Sequence, residues 1–281
     1  MSAPPCPAQS GSPRELYLEL LTQALSYSLW EEPGLPLERL AYGGPLLRGA
    51  VRGVARALRT VGLQLVRVAD SERRAEGAIW PGQAHTMIGL ARLANLRRCV
   101  ETVLADGVPG DLIETGVWRG GASIFMRGIL AAWGDPTRRV FVADSFRGLP
   151  RPDPAIAQDR GDRHHKIGVL AVSREDVAGH FARYGLLDDR VVFLEGWFKD
   201  TLPGAPIDRL AVMRLDGDMY ASTVDAIEPL YPKLSPGGFC IIDDYALPGC
   251  RRAVDEYRAA HGIRSPIERI DWTGVFWRKE P

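Results

Sequence analysis

The sequence is poor in cysteine and carries no excess of either charge. Its four cysteines are Cys6, Cys99, Cys240 and Cys250, and no two of them have C-x-x-C spacing. We therefore expect neither a disulfide framework nor a zinc site, and a reducing cytoplasm is the compartment that fits. The 35 basic side chains are balanced by 35 acidic ones, which argues against a protein that binds nucleic acid by neutralising phosphates.

Long hydrophobic runs are also missing. No apolar stretch is long enough to span a membrane, and the first residues lack the basic and apolar regions of a signal peptide. The 281 residues, 46 % hydrophobic and 25 % charged, suit one sizeable domain with an appendage. We predict a disordered start over residues 1–12, a helical N-terminal appendage over residues 13–75 and a main domain over residues 76–281.

The predicted appendage starts with a helix signal. Ser12 can cap a helix, Pro13 suits its first turn and Glu15 suits its positive end. The predicted apolar stripe of this helix consists of Leu16, Leu20, Leu21 and Leu25.

A basic segment over residues 46–67 follows. Four arginines recur there at helical spacing, Arg48, Arg52, Arg56 and Arg59, with Leu47, Val51, Val54 and Leu58 between them. Such a pattern is typical of a basic amphipathic lid, a dimer arm or a helix on a membrane surface. The alternative, which we favour, is the solvated face of an ordinary helix.

From residue 80 onward, helical patterns alternate with short apolar strands. The strand-like segments are GDLIETG, RVFVADSF, RVVFLEG, IDRLAVMRLDGD, GGFCIIDDY, PIERID and GVFWRKE. Short apolar strands between helices predict an α/β fold, with a parallel sheet covered by helices on both faces. Ligands bind such sheets at the carboxyl ends of the strands, and each polar motif described next falls at such an end.

The first motif is DLIETGVWRGGAS, residues 111–123, a strand followed by a glycine-containing turn and a helix. Gly116 permits a tight turn, and Gly120 and Gly121 would let a ligand approach the backbone at the helix N-terminus. The motif is neither G-x-G-x-x-G nor a Walker loop. Glu114 suits a ligand that carries an ammonium group, as S-adenosylmethionine does. A plain strand-to-helix turn is the alternative.

The second motif is VFVADSFRGLP, residues 140–150, in which Asp144 ends the next strand. An acid at this position can accept hydrogen bonds from both ribose hydroxyls of a nucleoside cofactor. The alternative is a surface aspartate that caps its own loop.

The third motif pairs LDGDMY, residues 215–220, with IIDDY, residues 241–245. Neighbouring strands lie about 4.8 Å apart, so on adjacent strands Asp216 would meet Asp243 and Asp244. Carboxylates brought together raise one another's pKa, and a hard divalent cation with oxygen ligands would offset this repulsion. The alternative is three aspartates that cap separate loops.

These motifs together resemble the macrocin O-methyltransferase family, the sugar O-methyltransferases of macrolide and aminocoumarin antibiotic biosynthesis. The similarity extends from ELYLELL near residue 15 to GVFWR near residue 275. Its specific segments are AHTMIGLARLANL, DGVPGDLIETGVWRGG, VADSFRGLP, RYGLLDD, GWFKDTLP, LDGDMY, LSPGGF and IIDDY. The sequence departs from the family in the basic segment and in the loop after Pro150, both of which could shape the acceptor pocket.

The resemblance implies a class I methyltransferase, Rossmann-like fold with a seven-stranded, mostly parallel sheet. It also implies S-adenosylmethionine and Mg2+, or another divalent cation. The acceptor would be a small glycosylated molecule, with the methyl group going to a deoxysugar hydroxyl of an antibiotic precursor, for example the 4-hydroxyl of noviose.

Individual residues acquire roles from the resemblance. Glu114, Thr115 and Gly116 would line the methionine part of the cofactor, Asp144 and Ser145 would hold the ribose, and Gly196 and Trp197 would flank the adenine. His85, Thr86 and Met87 match a segment that closes over the cofactor, and Gly120, Gly121 and Ser123 complete the cofactor site. Asp216, Asp243 and Asp244 match the metal ligands.

The reaction also needs a base. Asp216 and Asp218 would lie on one face if the strand geometry continues past residue 215. We assign Asp216 to the metal and Asp218 to the base, because a metal-bound carboxylate has a lowered proton affinity. In the alternative, Asp216 has both roles. His164 and His165 are either a base or ligand pair or, as we favour, part of a mobile loop on the acceptor side.

Other classes of protein explain the sequence less well. A nicotinamide-dependent dehydrogenase needs the missing G-x-G-x-x-G turn, and a non-catalytic binding module would not need three convergent aspartates. A catechol- or phenol-type metal-dependent O-methyltransferase is the nearest alternative. The apolar surface of the N-terminal segment predicts a homo-oligomer, and no nucleic acid or membrane partner is expected.

Overall fold

The computed structural model describes residues 11–31, 35–36, 45–68 and 70–280. Residues 1–10, which form most of the predicted disordered start and include Cys6, lie outside the described residues. The side chain of Arg48, one of the four arginines of the basic segment, also lies outside them.

Helices and strands alternate over most of the described chain. The helices are α1 (Pro13–Leu25), α2 (Pro45–Thr60), α3 (Ser71–Ala75), α4 (Gly89–Ala105), α5 (Gly121–Ala132), α6 (Arg174–Arg183), α7 (Phe198–Thr201), α8 (Tyr220–Leu230) and α9 (Pro248–Ala260). The strands are β1 (Leu35–Pro36), β2 (Val66–Arg67), β3 (Asp111–Thr115), β4 (Val140–Asp144), β5 (Val191–Glu195), β6 (Leu210–Leu215), β7 (Leu234–Ile242), β8 (Glu268–Arg269) and β9 (Val275–Arg278).

Seven of these strands form one sheet in the order β5-β4-β3-β6-β7-β9-β8. The strands from β5 to β7 are parallel to their neighbours, while β9 runs antiparallel to both β7 and β8. The predicted seven-stranded, mostly parallel sheet is thus confirmed. The apolar strands are buried because helices cover both of their faces.

The two faces of the sheet carry separate hydrophobic cores. On one face α1, α4, α5 and α6 pack around residues such as Phe125 and Phe181. On the other face α8 and α9 pack around residues such as Ile227 and Trp277. Because both faces of the sheet are covered by apolar side chains, polar groups that bind a ligand can lie only at the ends of the strands.

Helix α1 belongs to the first core. It begins at the predicted cap, with Glu15 N donating to Ser12 Oγ at 3.3 Å and Ser12 N donating to Glu15 Oε2 at 2.6 Å. Its buried stripe is Leu18, Leu21 and Leu25, whereas Leu16 and Leu20, which were predicted to belong to it, are exposed. Because α1 packs against α5, the predicted boundary at residue 76 does not separate it from the main core.

The predicted basic helix is present as α2. Arg52, Arg56 and Arg59 are exposed along it, and Leu47 and Val54 are each about half exposed. The short strands β1 and β2 on either side of α2 pair antiparallel. Among the described residues, no helix combines the length and apolar character needed to cross a bilayer.

Candidate active site

The carboxyl ends of β3, β4, β6 and β7 open into one cavity of about 920 Å³. Glu114, Asp144, Asp216 and Asp244 line it, one from the end of each strand or the loop after it. Strand β3 has β4 as its neighbour on one side and β6 on the other, so the strand order reverses direction at β3. The carboxyl end of β3 is therefore the topological switch point of the sheet. The cavity is large enough for a drug-sized ligand.

The turn after β3 lies directly against the start of the loop after β6. Gly116 has a φ of +76°, and a Cβ atom at this position would overlap the carbonyl oxygen of Asp216. The Gly116 amide donates to Ala143 O at 2.9 Å, and the Asp216 amide donates to Thr115 O at 3.0 Å. Only glycine can occupy this position. Its small size lets the turn after β3, in the first motif, lie against Asp216 of the third motif.

Glu114 is fully buried at the end of β3 and has two side-chain donors. Arg214 donates to Glu114 Oε1 at 2.5 Å, and the Ser123 hydroxyl donates to Oε2. Burial raises the pKa of the Glu114 carboxyl, and the Arg214 cation and the Ser123 hydrogen bond act against this rise. The carboxylate is therefore held in one orientation at the cavity wall.

Asp144 is fixed by backbone amides. Val117 N donates to Asp144 Oδ2 at 2.8 Å and Phe146 N donates to Oδ1 at 2.7 Å. Burial raises the pKa of this carboxyl, and the same amides lower it. A carboxylate has about four acceptor positions, so Asp144 keeps acceptor capacity toward the cavity.

Most of the residues predicted to bind the cofactor line this cavity. They are Thr86, Met87, Glu114, Gly116, Asp144, Ser145, Gly196 and Trp197. The structure does not place the other predicted residues on its wall: His85, Thr115, Gly120, Gly121 and Ser123. These five lie behind the wall and support it.

Gly120 and Gly121 make room for protein rather than, as predicted, for a ligand. A Cβ atom at Gly120 would lie 2.7 Å from Val177 Cγ1, and one at Gly121 would lie 2.7 Å from Thr86 Cβ. Gly121 N donates to His85 O at 3.0 Å. The glycine turn is therefore packed against α6 and against the segment around residue 85.

His85 belongs to the segment that was predicted to close over the cofactor, and its ring packs against the C-terminal part of α6. His85 Nδ1 lies 2.8 Å from Tyr184 Oη, and the ring centroid is 4.4 Å from that of His180. Burial, followed by the nearby His180, lowers the pKa of His85 to about 4. His85 is thus uncharged at neutral pH and ties the closing segment to the end of α6.

Three carboxylates meet on the other side of the cavity. Oxygen atoms of Asp216, Asp218 and Asp244 lie within 4.8 Å of one another. Burial and neighbouring acids raise the pKa of Asp218 to about 8 and that of Asp244 to about 8, and they raise the pKa of Asp216 as well. The three carboxyl groups therefore resist being ionised together unless a cation joins them.

Asp243, predicted as a metal ligand, is not part of this cluster. Its carboxylate accepts a hydrogen bond from Arg92 and forms an ion pair with Arg214, and all three side chains are buried. Burial alone would raise the pKa of Asp243, but the two cations hold it below its usual value. The structure thus brings Asp216 and Asp244 together with Asp218, and it pairs Asp243 with arginines.

Comparison with known proteins identifies the family. The sequence model of macrocin-O-methyltransferase (TylF) matches residues 14–279. This chain belongs to the macrocin-O-methyltransferase family. Membership makes it an O-methyltransferase and implies S-adenosylmethionine as the methyl donor, which agrees with the arrangement of Glu114 and Asp144 at the switch point.

Individual relatives are similar over nearly the whole chain. The 8-demethyl-8-(2,3-dimethoxy-alpha-L-rhamnosyl)-tetracenomycin-C 4'-O-methyltransferase of Streptomyces olivaceus is 55 % identical over 94 % of this chain and 93 % of its own. The mycinamicin III 3''-O-methyltransferase of Micromonospora griseorubida is 47 % identical over 94 % of this chain and 96 % of its own. The solved structure of the O-methyltransferase NovP is 46 % identical, covers 95 % of this chain and 100 % of its own, and has a TM-score of 0.83.

Two arginines of this macrocin-family site escaped the sequence analysis. Arg214 lies inside β6 and bridges Glu114, Asp216 and Asp243, and Arg92 of α4 bridges Asp243 and Asp271. A charged residue inside the apolar run LAVMRL could have signalled Arg214, because a buried cation requires buried anions. Arg92 sits among other arginines of an amphipathic helix and gave no such signal.

The loop over residues 147–172 forms another part of the cavity wall. It contains three single-turn 3-10 helices, at Ala157–Asp159, His164–Lys166 and Gly168–Leu170. His164 lines the cavity with its Nδ1 held by Asp162 at 2.6 Å, while His165 lines a smaller neighbouring cavity. Neither histidine belongs to the carboxylate cluster. We call residues 147–172 the acceptor loop.

Proposed function

We propose that this enzyme is an S-adenosylmethionine- and Mg2+-dependent O-methyltransferase that methylates a sugar hydroxyl of a glycosylated small molecule. The observation that carries the proposal is the cluster of Asp216, Asp218 and Asp244 beside the cavity wall formed by Glu114 and Asp144. The proposed nucleoside-binding acid and the proposed cation site share one cavity, and this combination suits methylation of an unactivated hydroxyl.

The donor set fits a hard divalent cation. Mg2+ prefers carboxylate oxygens and keeps room for waters and substrate oxygens. Asp216 and Asp244 would hold the ion, and its charge would offset the repulsion that raises their pKa values. Asp243 remains the third proposed ligand, because its Oδ1 pairs with Arg214 but accepts no hydrogen bond within the described part of the chain and so still has free lone pairs.

The cofactor would lie along the switch point. Glu114 would face the methionine ammonium group, Asp144 and Ser145 the ribose, and Gly196 and Trp197 the adenine. Each of these residues lines the cavity. When bound, S-adenosylmethionine supplies an electrophilic methyl group, and Mg2+ supplies the positive charge that makes an acceptor hydroxyl more acidic.

Asp218 is the proposed base. Its amide donates to Asp244 Oδ2 at 3.1 Å, so its backbone is tied to a proposed metal ligand while its carboxylate stays in the cluster. Burial and the neighbouring acids raise the pKa of Asp218 to about 8. The charge of a nearby Mg2+ would lower this pKa again, so that the carboxylate is ionised and able to accept a proton near neutral pH. The alternative, in which Asp216 accepts the proton, predicts that Asp218 is dispensable.

The acceptor class follows from the relatives. The enzymes of Streptomyces olivaceus and Micromonospora griseorubida are named for O-methylation of a rhamnosyl-bearing tetracenomycin and of mycinamicin III. We propose an acceptor of the same kind, a deoxysugar on an antibiotic aglycone. A catechol or phenol acceptor remains the alternative, and assays with a panel of acceptors would distinguish the two.

Three broader expectations accompany this function. We propose that the enzyme works in the cytoplasm and that it assembles as a homodimer or larger. The exposed apolar residues Leu47 and Val54 of α2, together with Leu16 and Leu20 of α1, supply the surface for such an assembly. Residues 13–75 would form the helical appendage or lid, with α1 packed on the main core, and residues 76–281 the catalytic domain.

The decisive experiment combines cofactor binding with metal-dependent turnover. S-adenosylmethionine binding is measured by titration calorimetry, and methyl transfer is measured with and without EDTA on glycosylated antibiotic precursors and on simple catechols. Transfer to a deoxysugar that stops with EDTA and returns with Mg2+ supports the proposal. Transfer to catechols alone contradicts the sugar acceptor, and EDTA-resistant transfer contradicts the metal.

A metal-binding readout tests the cluster separately from turnover. Asp244→Asn should weaken Mn2+ binding, measured by electron paramagnetic resonance, by about tenfold or more. The matched control is Asp208→Asn, because Asp208 is exposed and lies before β6, at the opposite end of the same strand. Equal Mn2+ affinity in the two variants would contradict the proposed site.

A further inference from the structure

Asp159 in the acceptor loop is a buried carboxylate that bonds to another element. Its side chain is only 3 % exposed. Asp159 Oδ1 accepts from Tyr220 N at 2.7 Å, and Oδ2 accepts from Ala221 N at 2.9 Å. Tyr220 and Ala221 are the first two residues of α8, so a loop residue far away in the chain satisfies the start of this helix.

Helix α8 has no cap of its own. Its N-cap residue is Met219, which makes no side-chain hydrogen bond to the first turn. The first amides of a helix need an acceptor, and a carboxylate there also interacts favourably with the helix dipole. Asp159 therefore caps α8 in place of a serine or aspartate at the N-cap position. The start of α8 thus depends on the acceptor loop.

The start of α8 also fixes the proposed base. Asp218 lies two residues before Tyr220 and has a φ of +55°, a left-handed conformation that an aspartate adopts at a cost. Such a conformation persists only when the surrounding structure holds it. Asp244 holds the Asp218 amide on one side, and Asp159 holds the two amides on the other.

Asp159 also packs close to the start of α9, the helix that follows the IIDDY segment. A Cβ atom at Gly249 would lie 3.1 Å from Tyr220 N and 3.5 Å from Asp159 Oδ1. Gly249 is the second residue of α9, which follows Asp243 and Asp244 after a short loop. The Asp159 carboxylate thus sits where the acceptor loop, α8 and α9 meet.

The acceptor loop has a second attachment across the cavity. Trp118 Nε1, in the glycine turn, donates to Val169 O at 2.9 Å. Between the two attachments His164 lines the cavity, and Ile156 lines it just before Asp159. The wall that would contact an acceptor is therefore fixed at one end to the cofactor turn and at the other to the helix that follows Asp218.

We propose that Asp159 is a positioning residue. It holds the acceptor loop and the Asp218 carboxylate in a fixed position relative to each other. This inference rests on the proposed function, in which Asp218 accepts the acceptor proton. A carboxylate out of place by about 1 Å can slow a reaction about 100-fold. Asp159 itself touches neither cofactor nor acceptor, because it is absent from the cavity wall.

The test compares Asp159→Asn and Asp159→Ala with a matched control, Asp135→Ala. Asp135 also accepts from two backbone amides, Thr137 N at 2.9 Å and Arg138 N at 2.8 Å, but it lies before β4 at the opposite edge of the sheet. Three quantities are measured on each full-length variant: hydrogen exchange of the Tyr220 and Ala221 amides, S-adenosylmethionine affinity, and kcat and KM for the acceptor.

We expect Asp159→Ala to speed exchange at the Tyr220 and Ala221 amides by about tenfold or more and to lower kcat by about 10–100-fold. Cofactor affinity should stay within about twofold, because Asp159 does not line the cofactor side. Asp159→Asn, which keeps one acceptor oxygen, should fall between wild type and Asp159→Ala. Asp135→Ala should lose thermal stability but keep kcat.

Two results would overturn the inference. The first is unchanged exchange at the Tyr220 and Ala221 amides in Asp159→Ala, and the second is a kcat that matches that of Asp135→Ala. Failure of the proposed function looks different, because wild type would then transfer no methyl group to any sugar acceptor. The exchange measurement needs no acceptor and still decides whether Asp159 holds the start of α8.

Discussion

Arg214 and Glu114 form an ion pair of 2.5 Å between two fully buried side chains on adjacent strands. The same guanidinium contacts Asp216 at 3.1 Å and pairs with Asp243. One cation therefore joins the acid of the proposed cofactor site to acids of the proposed metal site. Arg214 therefore supports both the proposed cofactor site and the proposed metal site. A substitution of Arg214 should weaken binding at both.

Replacing Arg214 should destabilise the fold strongly. Arg214→Met would leave Glu114 and Asp243 buried with one cation fewer, and breaking a buried ion pair costs about 3–5 kcal/mol. The free energy of unfolding is measured by guanidinium denaturation. Arg139→Met is the control, because the Arg139–Asp111 pair is partly exposed and should cost about 1 kcal/mol or less.

A milder change tests the same network if Arg214→Met does not fold. Ser123→Ala removes only the hydroxyl that donates to Glu114, and an unsatisfied buried acceptor costs about 1–3 kcal/mol. We expect Ser123→Ala to weaken S-adenosylmethionine binding as well. Cofactor affinity equal to that of wild type would show that the orientation of Glu114 does not matter for binding.

Gly116→Ala should be far more damaging than Gly134→Ala. Both glycines have a positive φ, +76° and +69°, so both substitutions carry a backbone penalty of about 1–2 kcal/mol. Only at Gly116 would the added methyl group overlap another atom, the carbonyl oxygen of Asp216, whereas nothing lies within 4 Å at Gly134. Overpacking adds about 1–3 kcal/mol. Equal losses in the free energy of unfolding would contradict this account of the turn.

The sequence was sufficient to predict the fold and the place of the site. Short apolar strands between helices led to the sheet, and polar residues at strand ends led to the cavity. Asp216 and Asp218 were expected together because the strand was assumed to continue. The strand ends at Leu215, and the two carboxylates meet instead because Asp218 adopts a left-handed φ of +55°.

The residues that escaped prediction act across long distances in the chain. Arg92 reaches Asp243 from 151 residues away, and Asp159 reaches Tyr220 from 61 residues away. Local propensity and spacing carry no information about such contacts, which depend on how helices and loops pack on the sheet. Gly120 and Gly121 were misread for the same reason, since the groups packed against them, Val177 and His85, lie elsewhere in the sequence.

Asp218→Asn should separate the base from the metal ligands. We expect kcat to fall about 100–10,000-fold, because general-base catalysis contributes that much, while Mn2+ affinity changes by less than about threefold. Asp216→Asn should lower both kcat and Mn2+ affinity. Near-normal turnover in Asp218→Asn would end its assignment as the base and favour Asp216. A large loss of Mn2+ affinity in Asp218→Asn would instead make Asp218 a ligand, as its place in the cluster allows.

The stability of the protein should depend on pH through His85. Burial and the neighbouring His180 lower the pKa of His85 from its usual 6.5 to about 4. Between these values the unfolded chain binds a proton that the folded protein does not, so the free energy of unfolding rises with pH across this window. As pH falls from about 6.5 toward about 4, this contribution is lost. His85→Gln removes the titrating group and should flatten this part of the profile.

The free energy of unfolding of wild type and His85→Gln is measured by guanidinium denaturation at several pH values from about 4.5 to about 7.5. This range covers most of the interval between the folded and unfolded pKa values of His85, about 4 and 6.5, and extends above it. The difference between the two profiles isolates His85, because the carboxylates that titrate in acid are common to both proteins. Tyr184→Phe is the matched control: it removes the partner hydroxyl of His85 Nδ1 but leaves the imidazole buried beside His180. It should lower stability by about 1 kcal/mol at every pH and keep the slope. A difference profile that is flat from pH 4.5 to 6.5 would mean that His85 takes up a proton as readily in the folded protein as in the unfolded chain, and its uncharged state at pH 5–6 would have to be abandoned.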